Sequence, residues 1–270
     1  MLDAKLIDKE EQLKELLRSY KTLAVGFSSG VDSTYLLDVA HEVLGDNVIA
    51  ITGTAVICPE SETKEANEFC LEKNIRQYEA SFDALSIEGF KDNPPNRCYI
   101  CKKALFSKII SIAHTQNITN IAEASNMDDN NDYRPGMIAI KELNILSPLR
   151  AVGLTKEEIR LLSKERNLKT FNKPSFACLA SRFVYGETID ATKLKMVEKS
   201  EELLKEYGFK QFRVRIHQNL ARIEILPSDF SLIMEESLRD NVYKSLIDLG
   251  FKYVSLDLKG YRTGSMNEVL

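Results

Sequence analysis

Leu23-Ala24-Val25-Gly26-Phe27, followed by Ser28-Ser29-Gly30-Val31-Asp32-Ser33, is an apolar run that ends in a turn of small residues and restarts as a helix at Thr34-Tyr35-Leu36-Leu37. The pattern predicts a strand, a phosphate-sized loop and a helix N-terminus. Backbone N–H groups at a helix start carry partial positive charge and bind phosphate oxygens when the neighbouring side chains let the anion approach. Ser28, Ser29, Gly30 and Ser33 are small enough for that, and Asp32 stands among them. The loop lacks the Lys-Ser/Thr ending of a Walker loop and the glycine spacing of a dinucleotide fingerprint. A strand-to-helix turn capped by Ser or Asp would use the same residue types, but the flanking strand and helix favour a nucleotide site.

Outward from this loop, residues 3–20 place Leu6, Leu13, Leu16, Leu17 and Tyr20 on one side of a helical period, an amphipathic helix expected to cover the sheet edge. A helix to Leu44 stops at Gly45, a strand is predicted over 48–52, and Pro59-Glu60 opens a helix to about Asn74. A third strand around 76–80 precedes Asn93-Pro94-Pro95-Asn96, where the prolines forbid regular structure. A helix over 98–114, a strand over 120–124 and a turn-rich loop over 126–136 follow, and Thr155 with Glu158 forms a capping box. This alternation predicts an α/β domain with a parallel sheet. It ends in the irregular segment 171–186, so the boundary is placed at 182/183: residues 1–182 form the nucleotide domain and 183–270 a smaller α+β domain. The smaller domain reads as a helix (190–207), an alternating strand (212–226), a helix (229–249) and a strand (253–258), and is the candidate for substrate binding and oligomerisation.

The 270 residues suit two domains, and 44% apolar with 28% charged content is ordinary for a globular protein. No apolar run approaches the roughly 18 residues that span a bilayer. The N-terminus has no signal-peptide layout, so a cytoplasmic protein without a membrane partner is expected. A formal charge of −4 and a pI near 5.6 argue against nucleic acid as the main partner. Five cysteines in such a chain point to metal binding, catalysis or burial before disulfides.

Cys98 and Cys101 form a Cys-x-x-Cys flanked by Arg97, Lys102 and Lys103, a spacing that suits a metal centre or a redox pair, and the flanking cations are expected to favour the thiolates. Cys178 lies in the irregular 173–181 stretch. Spacing alone leaves it open whether Cys178 is a third thiolate or a buried apolar residue. Cys70 falls on an apolar helical period, a core position, and Cys58 precedes Pro59 at a strand end. Arg213 and Arg215 share one face of a strand, with Glu224 later in the same alternating stretch. Two such arginines without acid partners suit a bridging phosphate or carboxylate, with Arg182 and Arg262 as further donors; a solvated strand face is the plainer alternative.

The loop resembles the SGGxDS pyrophosphate loop of the PP-loop ATP pyrophosphatases, with Ser29 in place of the first of two glycines. Over nearly its whole length the chain is similar to the LarE family of ATP-dependent sulfur transferases, which build the nickel-pincer nucleotide of lactate racemase. The similarity is carried by Ser28 to Ser33, by Asn130-Asn131-Asp132-Tyr133-Arg134-Pro135-Gly136, by Ser181-Arg182-Phe183-Val184-Tyr185-Gly186, by Arg213-Val214-Arg215 with Ala221-Arg222-Ile223-Glu224, and by Leu256-Asp257-Leu258 leading to Gly260-Tyr261-Arg262. The resemblance implies a PP-loop, Rossmann-like fold, and ATP with Mg²⁺ bound around Ser28, Ser29, Gly30, Asp32 and Ser33. It also implies a small nucleotide substrate, pyridinium-3,5-dicarboxylate mononucleotide, at Arg134, Arg182, Arg213, Arg215, Glu224 and Arg262. Some members sacrifice a cysteine just before the SRF string; here Ala177 falls at that place and Cys178 one residue later. The resemblance, with Cys98 and Cys101 present, therefore implies the type in which Cys98, Cys101 and Cys178 hold a 4Fe-4S cluster carrying an extra sulfide. A sulfide donor and a homo-oligomer are further implications. The alternatives are a PP-loop tRNA thiolase, a metal-free ATP-dependent amidotransferase or synthetase, and a nucleotide-binding regulatory module.

Overall fold

A computed structural model describes residues 3–131, 135–174, 177–262 and 264–269. The chain divides into two compact units, one of Met1–Asp83 with Cys98–Phe176, the other of Ala84–Arg97 with Ala177–Leu270. The division thus falls six residues before the expected 182/183, and the proline-bearing segment joins the second unit. Its reason is a set of hydrogen bonds within that unit. The fully buried Asn93 donates through Nδ2 to the Val184 carbonyl at 2.6 Å, its own carbonyl accepts from Gly186 N–H at 3.0 Å, and Lys91 O accepts from Ile189 N–H at 2.9 Å.

In the first unit, α1 (Ala4–Tyr20), β1 (Leu23–Gly26), α2 (Val31–Leu44), β2 (Val48–Thr54), α3 (Glu60–Glu72) and β3 (Arg76–Ser81) follow the predicted alternation. α4 (Arg97–Thr115) and β4 (Ile121–Ala122) come next, then α5 (Gly136–Glu142), α6 (Pro148–Ala151) and α7 (Lys156–Glu165). The helix α5, opened by Pro135, was not foreseen in the sequence. The four strands pair in parallel in the order β3-β2-β1-β4. Alternation along β1 and β2 divides the core. Leu23, Val25, Val48 and Ala50 face α1, α2 and α7, while Ala24, Ile49 and Ile51 face the side chains of α4 and α5. α1 packs on α2 and α6 rather than on a sheet edge, burying Leu6, Leu13 and Leu17. Strand order reverses between β2 and β4 about β1, so the loop after β1 lies at the carboxyl edge of the sheet, at the switch point where α/β sheets bind ligands.

The second unit contains α8 (Ala191–Glu206), β5 (Phe212–His217), β6 (Leu220–Ile225), α9 (Phe230–Ile233), α10 (Glu236–Asp248) and β7 (Tyr253–Leu256). The stretch expected as one long strand is a hairpin: Gln218 takes φ 55°, and β5 turns back antiparallel onto β6 with His217 opposite Leu220. β6 and β7 run parallel, connected through α9 and α10. The expected single helix over 229–249 is likewise interrupted between Ile233 and Glu236. Among the described residues no helix is long and apolar enough to cross a membrane.

Candidate active site

The loop between β1 and α2 is shaped by its own hydroxyls. Ser33 Oγ accepts from the Ser28 N–H at 3.3 Å, lies 3.2 Å from Ser28 Oγ and donates to the Gly30 carbonyl at 3.2 Å. α2 begins after Gly30 without any side-chain cap, so its first-turn N–H groups are left for a ligand. Ser29 takes the left-handed conformation, φ 52°, which explains why glycine suits this position. A bond from its hydroxyl to the Glu62 carbonyl at 3.0 Å compensates, and its own carbonyl accepts from Lys173 Nζ at 3.0 Å. Lys173 is also bound by Glu65 at 2.5 Å.

Asp32, in the first turn of α2, accepts from Asn126 Nδ2 at 3.2 Å through one oxygen and from Lys156 Nζ through the other. Asn126 follows β4 and is fixed by Asp129, whose carboxylate accepts the Asn126 N–H at 3.0 Å. Asn126, Lys156 and Lys173 were missed in the sequence because their partners lie 94 to 144 residues away. Further along the same edge, the buried carboxylate of Glu123 accepts from Ser125 Oγ and Ser147 Oγ, each at 2.6 Å, with Lys102 Nζ at 3.8 Å.

Cys98 and Cys101 lie in the first two turns of α4, Cys98 exposed and Cys101 half-buried. The lysines beside them are engaged elsewhere: Lys102 points at Glu123, and Lys103 binds Tyr99 at 2.8 Å and Glu142 at 2.9 Å. Cys178, half-buried, belongs to the second unit and directly precedes the turn Leu179–Arg182. Among the described residues no three His, Cys, Asp or Glu side chains are gathered as a metal ion would require. Cys70 is core, as expected, and burial pushes its thiol up to about 12.

In the second unit the arginines are buried rather than solvated, which removes the plain strand-face reading, and they do have acid partners, which the sequence reading had denied them. Arg182, fully buried, grips Glu201 with two parallel bonds of 2.8 Å and spends its remaining nitrogen on Ala177 O at 2.9 Å and Ser181 Oγ at 2.7 Å. It therefore shapes the Cys178 turn. Burial alone would raise the Glu201 carboxyl, but Arg182 holds it below the usual range. Glu201 sits on the Leu194, Val197, Leu204 stripe of α8, and a carboxylate on an apolar stripe was the signal that could have revealed it.

Arg215 donates to the Ser181 carbonyl at 2.9 Å and to Glu224 and Ser265 Oγ, each at 3.0 Å. Glu224, fully buried, also accepts from Arg222 at 3.0 Å and Ser265 at 2.9 Å, so it acts as the anchor of these arginines. Arg213 donates to the Phe212 carbonyl at 2.5 Å and lies over the Tyr261 ring, 5.3 Å from its centroid. Burial foremost, and then the charge of Arg182, push its guanidinium down to about 10. Tyr261 is delivered by Gly260, φ 70°, where a Cβ would stand 2.5 Å from the Ile225 carbonyl. Arg262 is tied to Glu268 at 2.8 Å and Asp257 at 3.2 Å. Arg134 lies outside the described residues. Three buried guanidinium groups, of Arg182, Arg213 and Arg215, thus share two buried carboxylates, Glu201 and Glu224.

No family model matches the chain. Its sequence is 35% identical to an uncharacterized protein of Synechocystis sp. over all of this chain and 99% of that protein. It is 34% identical to the pyridinium-3,5-bisthiocarboxylic acid mononucleotide synthase of Lactiplantibacillus plantarum, over 99% of this chain and 96% of the synthase. A partial similarity, 26% identity over 54% of this chain and 39% of the relative, links it to the argininosuccinate synthase of Natronomonas pharaonis.

Proposed function

The chain belongs to the LarE family of PP-loop, ATP-dependent enzymes, and we propose from that premise that it converts a carboxylate of pyridinium-3,5-dicarboxylate mononucleotide to a thiocarboxylate. The observation that carries this reading is the similarity to the bisthiocarboxylic acid mononucleotide synthase over almost the full length of both chains. The site chemistry agrees with it. A carboxylate oxygen attacks the α-phosphorus of ATP and pyrophosphate leaves; sulfide then attacks the acyl carbon and AMP departs with the oxygen. The uncapped start of α2 receives polyphosphate oxygens through its N–H groups. Arg213 and Arg215 receive the phosphate of the mononucleotide, whose oxygens suit their guanidinium groups. Holding both partners replaces a collision in solution with a positioned attack.

The sulfur is carried, on this reading, at Cys98, Cys101 and Cys178. Their chemistry fits a cluster: three thiols, none in the deep core, two on successive turns at the start of α4 and one whose turn is braced by the Arg182 guanidinium. A 4Fe-4S cluster on three thiolates supplies one iron open to a sulfide ligand. Mg²⁺ is expected with ATP, a sulfide donor refills the site, and the protein works in the cytoplasm as a homo-oligomer.

Anaerobic purification followed by iron and acid-labile sulfide analysis tests the cluster. The expected result is a coloured protein that loses iron when Cys98, Cys101 or Cys178 is replaced by Ser; an iron-free protein fully active in sulfur transfer would overturn it. Pyrophosphate release is then followed with ATP and either the pyridinium mononucleotide or tRNA. Release with the mononucleotide is expected, and release with tRNA alone would assign the protein to RNA thiolation.

A further inference from the structure

The phosphate loop, residues 27–33, contains no cation of its own, and its carboxylate at Asp32 repels the anion that the helix start attracts. Lys156 answers that carboxylate. Its ammonium lies on one Asp32 oxygen, and its side chain keeps 30% exposure, enough freedom to turn toward a ligand at the loop. Asn126 holds the other Asp32 oxygen at 3.2 Å, so Asp32 stays anchored if Lys156 turns away.

The position of Lys156 makes little sense as helix stabilisation. It is the first residue of α7, where the macrodipole disfavours a cation. The N-terminal donors of α7 are already served: the Lys156 N–H donates to Asp128 at 2.7 Å, and Thr155 and Glu158 complete a reciprocal capping box. The other lysine at the loop, Lys173, is committed to Glu65 at 2.5 Å and the Ser29 carbonyl at 3.0 Å. A locally unfavourable charge aimed at a ligand loop is the pattern expected of a functional residue.

We propose that Lys156 is the pyrophosphate-binding cation of this site, and that Asp32 and the polyphosphate of ATP compete for its ammonium. The proposal rests on the assignment of ATP to this loop. It gives the loop the lysine that a Walker loop carries in its own sequence, delivered here from another helix. When pyrophosphate leaves, Asp32 recaptures the ammonium, which lowers the cost of releasing a tightly held anion.

The test is calorimetric titration of the full chain with inorganic pyrophosphate in EDTA, so that no divalent cation bridges Asp32 to the anion. Lys156→Met is expected to weaken pyrophosphate about tenfold or more, the scale of a lost charge-assisted bond. Asp32→Asn removes the competitor and is expected to tighten pyrophosphate several-fold, while Lys156→Arg stays within about threefold of the native chain. AMP, which lacks the leaving phosphates, is expected to bind Lys156→Met within about twofold of the native chain. A purely structural ion pair would move both variants in the same direction, or weaken AMP as much as pyrophosphate, and either result overturns the proposal. Native chain that binds neither ATP nor pyrophosphate would overturn the ATP assignment itself, whereas native binding left unchanged in Lys156→Met overturns only the role of Lys156.

Discussion

In the first unit the loop 27–33 offers an anion backbone N–H groups and serine hydroxyls, all within seven residues of one another, and needs only a few side chains from elsewhere to balance Asp32. In the second unit the anion is to be met by guanidinium groups in the interior. Arg182, Arg213 and Arg215 are positioned by Glu201, Glu224 and Ser265, with Arg215 and Ser265 fifty residues apart. The two regions differ in how their charge is prepared. Helix N–H dipoles come with the fold at no desolvation cost, whereas each buried guanidinium loses hydration that only a close partner restores. The loop should therefore tolerate side-chain changes that the arginine cluster does not.

Arg182→Met tests the fragile side of that contrast most severely. It leaves Glu201 buried with the Val214 N–H, at 3.0 Å, and a more distant Arg213, and losing one member of such a pair costs about 3–5 kcal/mol. Thermal unfolding followed by near-ultraviolet dichroism should show a midpoint lowered by roughly 10 °C. The double variant Arg182→Met/Glu201→Met should recover most of that loss, because an apolar pair needs no counter-charge. A single variant as stable as the native chain would mean that the cluster is as forgiving as the loop.

Acid offers a second handle on the same pair. The Glu201 carboxyl is held below its ordinary value, against its burial, by Arg182. Its contribution is therefore complete above the unfolded-chain value, about 4.3, and is lost as pH falls through the lower folded value. Urea midpoints measured between pH 6 and pH 3 should fall more steeply in the native chain than in the double variant. Parallel slopes would remove Glu201 from the account.

Arg213→Ala separates binding from architecture. Burial and Arg182 make the Arg213 charge costly, and a bound phosphate would relieve that cost. Affinity for the pyridinium mononucleotide should drop about tenfold or more, with ATP affinity within twofold, since the loop is built without this residue. Equal losses for both ligands would contradict the division of labour between the two regions.

The same contrast explains what could be read in the sequence. The strand, loop and helix from Leu23 to Leu44 are local, and so are the Thr155 capping box and the apolar run of β2, so propensity and pattern were sufficient for them. The hairpin at Gln218 was missed because its turn lacks glycine and because alternation continues on both sides. Alternation by itself suggests one wet face, yet Phe212 through Ile216 are all buried. Lys156 became visible only when the fold brought it to Asp32, and the apolar stripe of α8 marks Glu201 as unusual without naming Arg182 as its partner.

The mildest test lies inside the loop, at Ser29. Its left-handed backbone costs a non-glycine residue about 1 kcal/mol, and its hydroxyl bond to the Glu62 carbonyl returns a similar amount. Ser29→Gly loses the bond and gains chain entropy in the unfolded state, but it relieves the backbone, so stability should change by less than about 1 kcal/mol. Ser29→Ala loses the same bond and keeps the strain, so it should be the less stable of the two in urea titration. Both should bind pyrophosphate within about twofold of the native chain, because the N–H groups that meet the anion are untouched. If Ala proves as stable as Gly, the left-handed turn is not what favours glycine at this position. If either variant loses pyrophosphate binding while remaining folded, the Ser29 hydroxyl is part of the anion site, and the loop depends on its side chains as the arginine cluster does.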